Sequence, residues 1–301
     1  MGKIKKIFKL FFDREFRRDF LLSVGFYNHM RDDKYLKMVF KRRMGKELEL
    51  FNPKTFNEKM QWLKLYDRQP IYTTMVDKYS VKKYVASIIG DQYLIPTIGV
   101  WEKASDINFD ALPNQFVLKC TNDSGGLIIC KDKSSLDIKK AKKQLSASLK
   151  KNYFFNQREW PYKNVKRLII CEPYMKDEKT ENLIVYKFFT FSGEPYLIQV
   201  IQNDKHEDES IDYFDTNWNL LDLRQNFPNS INHLPKPKNL KLMLELVKKL
   251  SGPSFLRVDL YEINGKVYFS EFTFYSDAGM ASFEPEDWDL KLGNLVKLPT
   301  K

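Results

Sequence analysis

Three cysteines and three histidines are all that the 301 residues contain. An odd number of thiols cannot pair completely, and Cys120, Cys130 and Cys171 each sit in an apolar run, which reads as buried, reduced thiols in a cytosolic protein. None of His29, His206 and His233 has a second histidine or cysteine at zinc-binding spacing, so any metal chemistry must use oxygen ligands. No apolar run approaches the roughly 20 residues that span a bilayer. The start, Met1-Gly-Lys-Ile-Lys-Lys-Ile-Phe-Lys9, lacks the apolar centre and cleavage site of a secretory leader, and Lys6 stands where a myristoylation signal needs Ser or Thr. Internal repeats and low-complexity stretches are also missing.

What is present is a large apolar inventory: 43% hydrophobic and 15% aromatic residues exclude wholesale disorder and suffice for a substantial core. The net charge is +11, and residues 1–50 hold 14 Lys/Arg against 7 Asp/Glu. A basic chain invites a nucleic-acid reading, but no helix-turn-helix, finger or RNP pattern accompanies the charge, and nucleic acid is not expected as a partner. Within 3–22, Ile4, Ile7, Phe8, Phe11 and Phe12 recur at helical spacing between Lys3, Lys5, Lys6 and Lys9. This basic amphipathic helix either docks on the protein's own core or contacts anionic membrane lipid or a membrane-bound partner.

Further helices are expected over 56–66, 77–88, 137–151 and 238–250, the first opened by a capping box of Thr55 and Glu58. Strands are expected over 115–120, 126–131, 166–172, 183–191, 195–202, 255–263 and 266–274, with hairpin turns at 191–195 and at Asn264-Gly265. The fold class is α+β, with antiparallel strands and helices in separate runs.

Two distant segments carry chemistry. In Phe116-Val-Leu-Lys-Cys-Thr-Asn-Asp-Ser-Gly-Gly126 a lysine breaks an apolar strand and a glycine-rich turn follows between two strands. A buried ammonium is costly unless an anion meets it, and Lys187 in Ile-Val-Tyr-Lys-Phe-Phe repeats the oddity; on an exposed face either lysine would merely solubilise. The second segment pairs Arg257-Val-Asp259 with Glu271-Phe-Thr273 across Asn264-Gly265. A two-residue loop with regular pairing would send Asp259 and Glu271 to opposite faces. A three-residue loop, with Gly265 left-handed in a bulge, pairs Arg257 with Glu271 and Asp259 with Phe269. It sets Arg257, Asp259, Glu271 and Thr273 on one face, and this register is expected. Two carboxylates on one face repel unless a cation sits between them, which points to magnesium, although a surface ion pair of Arg257 is the plainer alternative. Lysines, a backbone cradle and paired acids together suit a nucleoside triphosphate with its metal.

With these landmarks stand Pro53-Lys-Thr-Phe-Asn-Glu-Lys59, Trp62-Leu-Lys-Leu-Tyr66, Asp77-Lys-Tyr79, Leu94-Ile-Pro96 and Tyr186-Lys-Phe-Phe189. From about residue 50 to 293 the chain resembles the TupA-like branch of the ATP-grasp superfamily. The resemblance implies an ATP-grasp fold, two α+β lobes clasping ATP behind an N-terminal helical segment. The corresponding divisions are 1–50, a basic helical region; 51–112, a helical and substrate portion; 113–190, a small lobe with the mobile glycine loop; and 191–301, a large lobe with the magnesium hairpin. It implies ATP and Mg²⁺ as cofactors, with Lys78 and Lys119 on the phosphates and Ser124, Gly125 and Gly126 as phosphate loop. Glu172 and Tyr174 would flank the adenine, Lys187 would be a further nucleotide contact, and Asp259, Glu271 and Thr273 would hold the metal beside catalytic Arg257. Thr273 stands where many ATP-grasp enzymes carry asparagine, Asp123 where relatives carry a neutral residue, and Val185 where an acid is common, with Glu181 a substitute.

The activity implied is ATP-dependent carboxylate–amine ligation through an acyl phosphate, in bacterial surface-polysaccharide assembly, with a small-molecule or glycan acceptor. The protein would be cytoplasmic and peripheral at the inner membrane face through its basic helix. An ATP-grasp kinase acting on a glycan or polyol is the alternative within that fold. A glycosyltransferase is another, for which the nearest acid motif is the poor match Asp208-Glu-Ser-Ile-Asp212. Tyr213 to Trp218, Arg224 and the aromatic-rich 153–162 segment are candidates for stacking on an acceptor, or core.

Overall fold

The computed structural model describes residues 13, 17, 20–22, 24–123, 126–178, 183–202 and 209–300. Most of the basic stretch 3–22 lies outside them, as do Ser124, Gly125, Glu181 and Asp208. Among the described residues the strands form two antiparallel sheets. The first contains β1 (Gly99–Trp101), β2 (Phe116–Cys120), β3 (Leu127–Cys130) and β4 (Ile169–Pro173), in the order β1-β4-β2-β3. The second contains β5 (Val185–Phe191), β6 (Glu194–Gln202), β7 (Ser210–Asp215), β8 (Phe255–Ile263) and β9 (Lys266–Thr273), in the order β7-β6-β5-β8-β9. The chain passes between sheets within 174–184, ahead of residue 190, because β5 pairs with both β6 and β8. The short β1, ahead of residue 113, closes the other edge of the first sheet.

The described helices are α1 (Asp32–Met44), α2 (Phe56–Tyr66), α3 (Pro70–Val76), α4 (Ser80–Ile89), α5 (Ile138–Lys150), α6 (Phe154–Gln157), α7 (Leu240–Leu250) and α8 (Asp287–Leu295). The capping box forms as expected: Thr55 Oγ1 accepts the Glu58 N–H at 3.3 Å, and Glu58 Oε2 accepts the Thr55 N–H at 3.1 Å. Helix α4 begins three residues later than its apolar pattern suggested. The Asp77 carboxylate takes the N–H groups of Tyr79 at 2.9 Å and Ser80 at 3.2 Å, and so caps the helix from outside it.

The first sheet packs Leu118, Cys120 and Cys171 against Leu145 of α5. All three cysteines are free and buried, and burial pushes the Cys120 and Cys171 thiols up to about 11 and about 12, which keeps them as inert thiols. One face of the second sheet buries Phe188, Val258, Leu260 and Phe272 against Val85 of α4 and Leu246 and Val247 of α7. On the other face, Phe189, Phe191 and Phe255 meet Phe56 and Met60 of α2 and Leu292 of α8.

The β8–β9 hairpin corrects the expected register while keeping its consequence. Asn264 (φ 50) and Gly265 (φ 74) are both left-handed, so the connection is the two-residue loop and not the three-residue one. Pairing runs regularly from Ile263–Lys266 to Leu260–Phe269, then shifts by one residue, so that Asp259 faces Glu271 and Arg257 faces Thr273. The extra residue at the shift is Ser270, a β-bulge. Bulge and tight turn together place Arg257, Asp259, Glu271 and Thr273 on one face, with Val258 and Phe272 in the core opposite.

Residues before α2 are tied to the body by a buried arginine. Arg158, left-handed at φ 55 and fully buried, puts its guanidinium 4.1 Å over the Tyr35 ring and 3.1 Å from the Asp32 carboxylate. It also donates to the Tyr27 carbonyl at 2.7 Å, and Arg68 meets the other Asp32 oxygen at 2.7 Å. Removing one partner of such a pair leaves an uncompensated buried charge. Asp32→Ala should therefore lower the unfolding free energy by about 2–3 kcal/mol in urea titration, somewhat less than for a fully buried pair. Arg31→Ala should change it by less than about 0.5 kcal/mol, because that side chain is 74% exposed.

Candidate active site

Cationic side chains from several elements converge on the cleft between the two sheets. Asp77, by capping α4, leaves Lys78 outside the helix, and its ammonium donates to the Asp123 carbonyl after β2. Lys82 lies one turn further along α4, on the same face. Lys119 leaves the cavity face of β2, opposite to core-facing Leu118 and Cys120. Lys187 projects from β5. These four lysines line one cavity of about 230 Å³ with Asp123, Glu172, Asp259 and Glu271, while Val81, Leu94, Ile95 and Val185 supply an apolar wall.

A single polar row explains how the second sheet builds its share. Strand pairing sets Tyr213 of β7, Gln199 of β6, Lys187 of β5, Asp259 of β8 and Glu271 of β9 side by side. At the closed end, Gln199 Nε2 donates to the Tyr213 hydroxyl at 2.7 Å, and that hydroxyl donates to Gln225 Oε1 at 3.0 Å. At the open end the row becomes ionic.

Most of the charge is already paired. Glu172 holds Lys119 at 2.6 Å through one oxygen and Lys82 through the other. Burial pushes Glu172 up, but the two ammonium groups outweigh it and hold the carboxyl below its ordinary value. Burial likewise pulls Lys119 down, and Glu172 together with Tyr261 and Glu271 more than reverses it. Arg257 forks Asp259 with two hydrogen bonds of 2.8 Å, reaches Ser276 Oγ at 3.2 Å, and lies 3.7 Å from Glu271. The Asp123 carboxylate turns away from the cleft, accepting from the Gly126 N–H at 2.8 Å and from the Ser148 hydroxyl. An acid beside a phosphate site is thereby made a loop brace.

Lys78 and Lys187 are the exceptions. Burial pulls both ammonium groups below the ordinary lysine value, and the Arg257 guanidinium adds to the effect on Lys187. Lys187 makes no hydrogen bond or ion pair among the described residues. Two desolvated cations with so little compensation make a receptor for a multiply charged anion. Among the described residues no three His, Cys, Asp or Glu converge on one point. Asp259 and Glu271 pair across the hairpin and both flank one Arg257 nitrogen, at 2.8 and 3.7 Å, a two-carboxylate set of the kind that suits Mg²⁺. A Cβ at Gly126 would come within 2.8 Å of core-facing Cys120 Cβ and Sγ, so only glycine lets the end of this loop pack directly on β2.

Of the residues singled out from sequence, Lys78, Lys119, Gly126, Glu172, Lys187, Asp259 and Glu271 meet at this cavity. Arg257 stands behind Asp259, and Thr273, abreast of Arg257, does not line the cavity. Nor does Tyr174, whose ring centre lies 5.9 Å from the Lys131 ammonium. Glu172 is an anchor for two lysines. Lys82 was missed, although its four-residue spacing from Lys78 was a usable signal. Tyr213 is a buried core residue with its hydroxyl bonded, and Trp218 stacks on Phe214 at 4.2 Å. Asp212 is bonded by Ser230 N–H and His233, both at 3.0 Å.

A family model described as TupA-like ATP-grasp matches residues 58–297. No curated protein matches the chain. Among solved structures, it is similar to D-alanine–D-alanine ligase from Bacillus anthracis complexed with ATP, at 20% identity and a TM-score of 0.37 over 66% of this chain and 55% of that one. It is also similar to an L-amino acid ligase from Bacillus licheniformis, at 13% identity and a TM-score of 0.49 over 90% of this chain and 64% of that one. The chain thus spans little more than half to two thirds of those proteins, and at such distances their substrates say nothing of its own.

The lysine environments set a pH dependence. A bound phosphate favours the protonated ammonium, so affinity for Mg·ATP should fall as pH rises through the lowered values of Lys78 and Lys187, below the ordinary lysine value of about 10.4. Calorimetric titration should show this loss, and Lys187→Arg should flatten it. Lys187→Met should weaken binding at neutral pH by about tenfold to a hundredfold, the worth of one charge-assisted hydrogen bond.

Proposed function

The chain belongs to the TupA-like ATP-grasp family, and on that premise we propose that this ATP-grasp enzyme is a carboxylate–amine ligase of bacterial surface-polysaccharide assembly. The donor would be a uronic acid, sugar acid or amino acid. The observation that carries the reading is the row of Lys187, Asp259 and Glu271 lying abreast on three strands, across the cleft from Lys78 and Lys119.

In this reading the donor carboxylate attacks the γ-phosphorus, the bond to ADP breaks, and an acyl phosphate forms. The acceptor amine then attacks the carbonyl carbon, and inorganic phosphate leaves. Lys78 and Lys119 hold the phosphate chain, and Lys119 does so only by exchanging part of its contact with Glu172. Gly126, packed on Cys120 and bonded by Asp123, anchors the end of the loop that would cradle the phosphates. Asp259 and Glu271 would hold Mg²⁺, which would supply charge neutralisation for the transferred phosphoryl group. Arg257, pinned by Asp259 and Ser276, presents a fixed cation where charge develops on the transferred group and costs no reorganisation there. The basic N-terminal stretch would bring the enzyme to an anionic membrane or its membrane-bound partners on the cytoplasmic face.

A coupled assay over a panel of uronic acids and amino acids tests the assignment: a ligase releases both ADP and inorganic phosphate, whereas a kinase leaves the phosphate on its acceptor. Arg257→Ala and Asp259→Ala should each lower kcat/KM by at least about a hundredfold, and full activity in either would overturn the reading.

A further inference from the structure

Two lysines of the cleft share one carboxylate, and they share it unequally. An ammonium has three N–H groups to give. Lys82 gives all three to the protein: to Glu172 Oε1, to the Ile95 carbonyl at 2.8 Å and to Thr97 Oγ1 at 2.8 Å. Lys119 holds the other Glu172 oxygen at 2.6 Å, has no second acceptor among the described residues, and lines the cavity. Lys82 is therefore saturated, whereas Lys119 keeps two N–H groups for an incoming anion.

The fold explains why the saturated lysine stays where it is. Helix α4 packs Val81, Val85 and Ile89 in the apolar layer beneath the second sheet. Glu172 stands on β4 of the first sheet. Ile95 and Thr97 lie on the stretch that runs into β1, where the Ile98 N–H donates to the Cys171 carbonyl at 2.7 Å. One side chain thus ties a helix of one layer to the sheet of the other, at the wall of the cavity.

The consequence concerns charge. Glu172 is buried, and a buried carboxylate stripped of its partners is costly. If Lys119 were its sole partner, a phosphate could draw that lysine away only by stranding the carboxylate. With Lys82 fixed on the first oxygen, the second can release Lys119 and the charge remains compensated.

We propose that Lys82 is a positioning residue for nucleotide binding: it keeps Glu172 in place and charge-balanced, so that Lys119 can exchange its carboxylate contact for a phosphate oxygen. The inference rests on the reading of this cleft as an Mg·ATP site. It separates Lys82 from a lysine that touches the phosphates itself. A direct ligand would act whether or not Glu172 carried a charge, whereas Lys82 acts only through that charge.

Calorimetric titration of Mg·ATP into wild type, Lys82→Gln, Glu172→Gln and the double variant tests this. Glutamine keeps an N–H donor and loses the charge. Lys82→Gln should raise the Kd by about tenfold or more when Glu172 is present, and by less than about threefold when Glu172→Gln has already removed the carboxylate charge. An equal cost in both backgrounds makes Lys82 a direct phosphate ligand or a structural strut and overturns the proposal. So does a Lys82→Gln protein that binds like wild type. Lys82→Arg, which keeps a cation on Glu172, should bind within about fivefold of wild type. A loss in Lys82→Arg as large as in Lys82→Gln overturns the proposal even where Lys82→Gln folds poorly. Wild-type protein that takes up no Mg·ATP sinks the nucleotide reading itself, and the role of Lys82 with it.

Discussion

Everything in the cleft depends on one register. Side chains alternate along a strand, so a slip of a single residue between β8 and β9 would send Asp259 and Glu271 to opposite faces of the sheet. The Asn264-Gly265 turn imposes the wrong phase by itself, and the bulge at Ser270 corrects it within one hydrogen-bonded step. Lys187 joins the acids because β5 pairs with β8 in matching phase, and Arg257 falls two residues behind Asp259 on the same face. The metal and phosphate chemistry therefore rides on an irregularity of the ladder.

The second constraint is charge in a poorly hydrated place. Three of the four carboxylates of the cleft are given work before any ligand arrives: Glu172 spans Lys82 and Lys119, Asp259 takes the Arg257 fork, and Asp123 braces its own loop. Such pairs add little net stability, since desolvation offsets attraction. They fix positions instead. Lysines that would otherwise wander are set within a cavity, and Lys187 is left as the cation without a bonded counterpart among the described residues. The geometry is prepared by attraction between protein groups, and the remaining imbalance favours an anion.

How much of this was legible in the chain differs by element. The capping box at Thr55 and Glu58, the helices at Phe56–Tyr66 and Ile138–Lys150 and both tight turns were readable because local residues determine them. The face shared by Asp259 and Glu271 was also readable, since apolar Val258 and Phe272 had to go to the core. The bulge that achieves it was not, because a bulge trades local ladder bonds against packing on distant helices. Helices α1 and α8 and the edge strand β1 escaped notice, their patterns being short or highly charged. The burial of Arg158 gave no signal at all, because its partners Tyr27 and Asp32 lie more than a hundred residues earlier.

That last arrangement bears on how such a protein can be recombined. Similarity to the family begins at residue 58, yet the clasp around Arg158 draws on Tyr27, Asp32 and Tyr35. A chimera joined at the border of similarity would graft a foreign leader onto a body that still carries the arginine. It would be tolerated only if that leader brought an acid and inward-facing carbonyls of its own.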